Sequence, residues 1–288
     1  MNNKYIVWLK KAAALLLLSS TMFSHATEKG VFWKVVSPSG ETSYLFGTMH
    51  TDDSRITDFS SNVIDAIKNV DVFVMETEPN SNPKHFLLSV GTLESSLTEE
   101  ELDKVKDLAD FHVMRIEQAL KMKPWLLAFV FSQSKPQTPF AQDNLLMRSA
   151  EDFGKPVNGL ETSEEHFSVI DSFTQEEQLT MLRKALKLTQ EQKERDFEKL
   201  IDTYLVGDTD GLLRFDAEMT GAQLPQALWD KIRVKLLDER NVLMVTRVLH
   251  LLENQSVFIA VGAAHLAGED GLITALKKAG FQLSPMPE

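Results

Sequence analysis

Apolar positions along this chain follow two patterns. Short, nearly continuous apolar runs occur at Val31–Val36, Ser43–Thr48, Asp71–Glu76, Val157–Leu160, Val257–Val261 and Phe281–Leu283. Runs of this length, bounded by Gly, Pro and polar residues, predict strands, and the most apolar of them predict strands covered on both faces. Elsewhere apolar residues recur every three or four positions. Examples are Val63, Ile64 and Ile67, then Leu102, Val105 and Leu108, then Leu179, Leu182 and Leu186. That period predicts amphipathic helices. Thr98 and Glu101 form a capping box ahead of one of them. Residues 97–153 and 164–253 are expected to be mainly helical, ending in one long helix over about 225–253. A further helix is expected over about 269–279, with acids at its positive end. Pro38-Ser39-Gly40 joins the first two strands as a hairpin. The expected fold is α/β: a central, mostly parallel or mixed sheet with an N-terminal hairpin. A large helical insertion, about 85–150 and 163–250, would cover it.

The ends of these runs carry chemistry. Val257–Val261 leads into Gly262-Ala263-Ala264-His265, and Tyr44-Leu45-Phe46 leads into Gly47-Thr48-Met49-His50. With 13 Gly and 7 His in 288 residues, chance supplies roughly 0.3 Gly-x-x-His matches. Two are present, each after an expected strand. Two other runs end on acids, Glu76 and Glu161. In open α/β sheets the site lies beyond the carboxyl ends of the strands, so His50, Glu76, Glu161 and His265 are the candidate site residues. The glycine of each turn would permit a sharp bend.

Composition narrows the classes. Lys4, Lys10 and Lys11, a short apolar core from Ala12, and Ser24-His25-Ala26 read as a secretory leader over residues 1–26, cut near Ala26. The expected product is a secreted or periplasmic single domain over residues 27–288, with no lasting membrane insertion. Its leader carries three lysines and no acid, so cleavage moves the net charge from −12 to −15. Such a charge disfavours nucleic acid as a partner. The chain has no cysteine, which rules out disulfides, thiolate metal sites and a cysteine nucleophile. No nucleophile elbow, His-Glu-x-x-His helix or phosphate-binding glycine loop is present. Trp125–Phe131 is apolar but too short to span a bilayer.

Each candidate has a plainer reading. A lone turn histidine is usually an inert hydrogen-bonding group, but two on matching strand-turn units favour function. Paired imidazoles either bind a metal or share acid-base work. Glu76 would serve as ligand, orienter or base, or would simply be a carboxylate satisfied by backbone donors. Arg55, five residues past His50, would face an oxyanion, or would be a surface arginine paired with Asp52 or Asp53. Glu161 is the supporting acid. His166 reads as a surface helix residue.

The ordered set of segments resembles the TraB/GumN family, related to the Tiki proteases. The segments are Phe32-Trp33-Lys34-Val35, Tyr44 to His50, the acid-ended strand at Glu76, Lys155 to Thr162, Arg240-Asn241, and Val261 to Gly268. The resemblance implies one domain whose two Gly-x-x-His turns and an acid form the active site. In the Tiki branch it implies a divalent-metal peptidase, here with His50, Glu76 and His265 as metal ligands. Mn²⁺, Co²⁺ and Zn²⁺ all suit nitrogen and oxygen donors. Distantly similar erythromycin-esterase-like enzymes imply a metal-free alternative, with one histidine and Glu76 activating water. His166 stands where the family often has Gln. The expected partner is a peptide or protein substrate. A third reading is a non-catalytic protein that binds a peptide or signal.

Overall fold

The structure is a computed structural model describing residues 29–79, 82–136 and 138–287. The expected leader, residues 1–26, lies outside the described residues. Six strands form one mixed sheet: β1 (Phe32–Val36), β2 (Thr42–Thr48), β3 (Val72–Thr77), β4 (Val157–Glu161), β5 (Val257–Gly262) and β6 (Gln282–Pro285). Their order across the sheet is β4-β3-β5-β2-β1-β6. The strand β1 pairs antiparallel with β2 and with β6. The pairs β2–β5, β3–β5 and β3–β4 are parallel. The α/β fold and the hairpin are as the pattern predicts.

The continuous apolar runs are explained by burial on both faces. On β5, Val257, Ile259 and Val261 face one core with Val72 and Val74 of β3. The helix Glu239–Leu252 covers that face with Met244, Val248 and Leu252. Phe258 and Ala260 face the opposite core with Phe46 and Phe73. Helices Ser61–Asn69 and Gln142–Asp152 cover that side through Val63, Ile67, Leu146 and Ala150. The Phe73 and Phe258 rings stack at 5.5 Å. At roughly 2 kcal/mol for each fully buried large side chain, this double cover is the main term holding the sheet.

The helical stretches are more divided than the period alone suggested. The first contains Glu99–Phe111, Ile116–Ala119, Pro124–Phe131 and Gln142–Asp152. The last of these packs on the sheet, as a covering insertion would, with Leu146 and Ala150 against β3 and β5 residues. Helices Glu99–Phe111, Pro124–Phe131 and Gln175–Ala185 instead share a separate core. The long C-terminal helix is present but carries a π-helical stretch, Val234–Asp238, between Gln226–Arg233 and Glu239–Leu252. The reason is that its two halves face different cores: Leu228 packs with Phe173 and Leu224, whereas Met244 and Val248 pack on the sheet. One extra residue in the turn swings the stripe by about 100°. The final helix begins at Leu272, after Glu269 and Asp270. Among the described residues no helix is long and apolar enough to cross a membrane.

The core around Glu99–Phe111 contains a misfit. His112 is buried, and both ring nitrogens lack a hydrogen-bond partner. Burial, and next the Lys193 charge, push its pKa from 6.5 down to about 4. Between these values the unfolded chain takes up a proton that the folded ring refuses, so stability falls as pH drops from about 6.5 towards 4, by roughly 3 kcal/mol in all. His112→Phe keeps the stacking on Phe131 and removes the titrating group. Its unfolding midpoint should exceed the parent's by clearly more at pH 5 than at pH 8, as thermal melts at the two pH values would show.

Candidate active site

Four neighbouring parallel strands end at one edge of the sheet, and each delivers an ionisable side chain there. Across the edge they run β4, β3, β5, β2, carrying Glu161, Glu76, His265 and His50. Thr77 pairs with Glu161, Met75 with Ala260, and Thr48 with Gly262. The strand ends are therefore nearly level, at roughly 4.8 Å per strand. Period-two alternation sends Glu76 to the same face as Val72 and Val74, the face covered by Glu239–Leu252.

Arg240, in the first turn of that helix, fills the space beneath the edge. Its Nε donates to Glu161 Oε1 at 3.0 Å, and Nη2 donates to Glu161 Oε2 at 2.7 Å. Nη2 also donates to Glu76 Oε1 at 2.5 Å, and Nη1 to the Leu236 carbonyl at 3.1 Å. Glu161 and Arg240 are almost wholly buried, and Glu76 is partly so. One cation thus meets two carboxylates, leaving the cluster one charge negative. Burial pushes the Glu76 carboxyl up, but His265 and the Arg240 guanidinium beside it outweigh that and hold the group well below the usual carboxylate range. Glu161 is likewise held low against its own burial, by His166 and Arg240. The guanidinium's planar fork makes this two-acid clamp possible, where an ammonium would lack the geometry.

The two histidines are held alike. His265 lies in the 3₁₀ turn Ala263–Leu266, buried, with Nδ1 2.6 Å from Asn241 Oδ1. The amide oxygen can only accept, so Nδ1 carries the proton and Nε2 the lone pair. That Nε2 lies 3.4 Å from Arg240 Nη1 and 3.7 Å from Glu76 Oε1. His50 is half exposed, with Nδ1 3.0 Å from Asp143 Oδ1. The carboxylate again fixes the proton on Nδ1 and leaves Nε2 free. The hydrogen bond to Asp143 raises the His50 pKa against a smaller opposing effect of burial, and the Glu76 charge adds to the rise.

The backbone under His50 is fixed by Gln142 and Tyr204. Met49 N–H donates to Gln142 Oε1 at 2.8 Å, and the Tyr204 hydroxyl donates to the Gly47 carbonyl at 2.7 Å. Gln142 Nε2 donates to the Ile56 carbonyl. The glycines of the two turns prove to serve close approach, not a sharp bend. Gly262 has φ −51°, and neither glycine has positive φ. A Cβ on Gly47 would lie 3.0 Å from the Ala263 backbone, and one on Gly262 would lie 3.3 Å from Glu76 Oε2. Gly262 N–H donates to that same oxygen at 3.0 Å.

Of the residues expected at the site, Glu76, Glu161 and His265 converge on Arg240, and His50 stands two residues past the end of the adjoining strand β2. Arg55 is not gathered with them. Its guanidinium is taken up by Asp53 and Glu198, at 2.9 and 2.6 Å, and it lines a separate hollow with Phe46, Gly207 and Met286. The plainer reading, a surface arginine paired with Asp53, describes it. His166 does reach inward, with Nδ1 3.3 Å from Glu161 Oε2. Sequence reasoning assigned no role to Arg240, Asn241, Asp143, Gln142 or Tyr204. Arg240 had a usable signal: it stands four residues before Met244 on the buried stripe that continues through Val248 and Leu252. Asp143 had none, since its partner lies 93 positions away.

The donor types suit a divalent ion, but the placement seen here does not. The Arg240 fork lies against both Glu76 and His265, where an ion shared by them would sit. Among the described residues no group of three or more His, Asp and Glu could hold a metal ion.

Comparison with known proteins bears on this arrangement. The sequence model of the TraB/PrgY/gumN family matches residues 31–285. A protein of Amphimedon queenslandica named Metalloprotease TIKI homolog is 22% identical over 334 residues, covering 94% of this chain and 65% of that protein. The chain thus spans just under two thirds of that relative's length. An uncharacterized protein of Treponema pallidum (strain Nichols) is 21% identical over 295 residues, covering 90% of this chain and 82% of that protein. No solved structure matches the chain significantly.

Removing the guanidinium should expose how much depends on it. Arg240→Met leaves two buried carboxylates uncompensated, at an expected cost of about 3–5 kcal/mol at pH 7. The low folded pKa of Glu76 supplies stability that is present above its unfolded value and lost as pH falls through the folded value. The parent should therefore weaken in acid, whereas Arg240→Met should be weak at pH 7 and change far less on acidification. Urea midpoints at pH 7 and pH 4 measure both.

Proposed function

The chain belongs to the TraB/PrgY/gumN family, and from that premise we propose that it is a hydrolase that cuts peptide bonds at the β4-β3-β5-β2 edge. The observation that carries this reading is the matched pair of imidazoles. Each strand-end histidine is held through Nδ1, by Asp143 or by Asn241, so in each the basic nitrogen is Nε2, and that of His265 lies 3.7 Å from the Glu76 carboxylate. Holding one nitrogen to fix the other is the arrangement general bases share. His50, the more exposed of the two, takes a proton from water through Nε2 as the water oxygen attacks the substrate carbonyl. The carbon–nitrogen bond then breaks, and the same proton passes from His50 to the leaving amine. Asn241 and Arg240 keep the His265 ring in register at the same rim. The similarity to the TIKI homolog supports peptide as the substrate, and the net negative charge disfavours nucleic acid. The leader-like N-terminus supports a secreted or periplasmic location.

A second reading is a divalent-metal site on His50, Glu76 and His265. The TIKI similarity and the Nδ1 anchoring of both rings favour it, because metal-bound histidines are oriented through the other nitrogen in the same way. It requires the Arg240 fork to leave Glu76.

Hydrolysis of a quenched peptide library decides between these. His50→Ala and His265→Ala should each lower kcat/KM by about 10²–10⁴-fold. Activity surviving a chelator supports the metal-free base, and loss restored by Mn²⁺, Co²⁺ or Zn²⁺ supports the metal site. No hydrolysis by the parent, with or without metal, overturns both. Because Asp143 is what raises the His50 pKa, Asp143→Asn should move the acidic limb of the kcat/KM profile to lower pH.

A further inference from the structure

A cavity of about 520 Å³ lies among the helices beside the strand edge. Its walls are largely apolar, with Trp125, Phe129, Phe173, Phe197 and Phe215 among them. Three contacts join it to the candidate site. The Phe129 ring lies 6.1 Å from the His50 ring. Phe197 lines both this cavity and the small hollow that contains His50. Leu236, another wall residue, accepts the Arg240 hydrogen bond through its carbonyl.

One wall residue is out of place in an apolar hollow. Lys193 is 3% exposed, and its ammonium makes no hydrogen bond or ion pair with any described residue. It stands in the first turn of the helix Gln190–Leu205, the end at which the peptide dipoles disfavour a cation. Lys184, in the same cavity, has Asp196 and Asp216 as charged neighbours. Lys193 has no such compensation. The Lys193 side chain is largely withdrawn from water although Nζ itself is not wholly enclosed; a cation so placed without a counter-charge is disfavoured, and an anion entering the cavity would relieve that.

We propose that this cavity receives the apolar end of the substrate and that Lys193 binds its terminal carboxylate. The ligand class is a short apolar chain ending in a carboxylate, whether the C-terminal residues of a peptide or a fatty acid. The inference rests on the hydrolase reading only for where the scissile bond falls; the binding stands without it. From Lys193 to Phe197 is four residues, roughly 6 Å of helix, or about two residues of extended chain. Because Phe197 also lines the hollow that contains His50, a bond near the C-terminus of a peptide anchored at Lys193 would lie on the His50 side of the cavity.

Calorimetric titration of the whole chain tests this with three probes: N-acetyl-Leu-Phe, its C-terminal amide, and laurate. The free acid should bind about tenfold or more tightly than the amide, as expected for a charge-assisted contact. Lys193→Met should abolish that preference without lowering the melting temperature, since it removes an uncompensated charge. Lys193→Arg, which retains the charge, and Lys187→Met, at an exposed lysine, should keep it. Laurate binding that depends on Lys193, with no binding of the dipeptide, supports the carboxylate anchor and assigns the chain to an acyl source. Equal affinity for acid and amide, a preference that survives Lys193→Met, or no binding of any probe overturns the proposal. Measuring the same affinities in His50→Ala keeps this result separate from the fate of the hydrolase reading.

Discussion

A single buried guanidinium holds the working edge of this molecule together. Arg240 meets Glu161 and Glu76 with one planar group, and both acids stand at strand ends that the sheet has already brought level. The attraction between such charges is strong because water is excluded, and desolvation takes back much of it. What remains is mainly geometric. Glu76 cannot rotate away, Gly262 N–H bonds its second oxygen, and the next residue on the helix, Asn241, fixes His265. Two consecutive helical residues thus position groups on three strands.

That arrangement constrains the helix as much as the sheet. Arg240 and Asn241 must reach the edge while Met244, Val248 and Leu252 stay in the core. The residues before them must meet another core altogether. The π turn at Val234–Asp238 lets one continuous helix satisfy both demands. Widened turns of this kind recur at functional sites, and here the one at Leu236 also supplies a carbonyl to Arg240.

Much of this could be read in the sequence. The strands were legible because full burial on both faces leaves unbroken apolar runs, most plainly in Val257–Val261. The four ionisable strand ends were legible because parallel strands deliver their next residues to one edge. The two glycines were found for an incomplete reason: their value lies in close contact with Ala263 and with Glu76, which no local pattern encodes. Arg55 was misplaced because five residues after a turn say nothing about which carboxylate captures a guanidinium, and Asp53 and Glu198 did so. Asp143, Gln142 and Tyr204 could not be found at all. Their partners lie from 62 to 157 positions away, and only the folded chain brings them together. Arg240 sat in view on an apolar stripe, where a charge is costly without partners. The family resemblance covered its segment without assigning it a task.

Gln142 and Asp143 are adjacent, at the very start of one helix. The first secures the main chain before His50 and the second secures its ring. Fraying of a single helical end would therefore release loop and imidazole at the same moment. The readiness of His50 is a cooperative property, set by the local melting of one turn and not by the rotamer preference of one side chain.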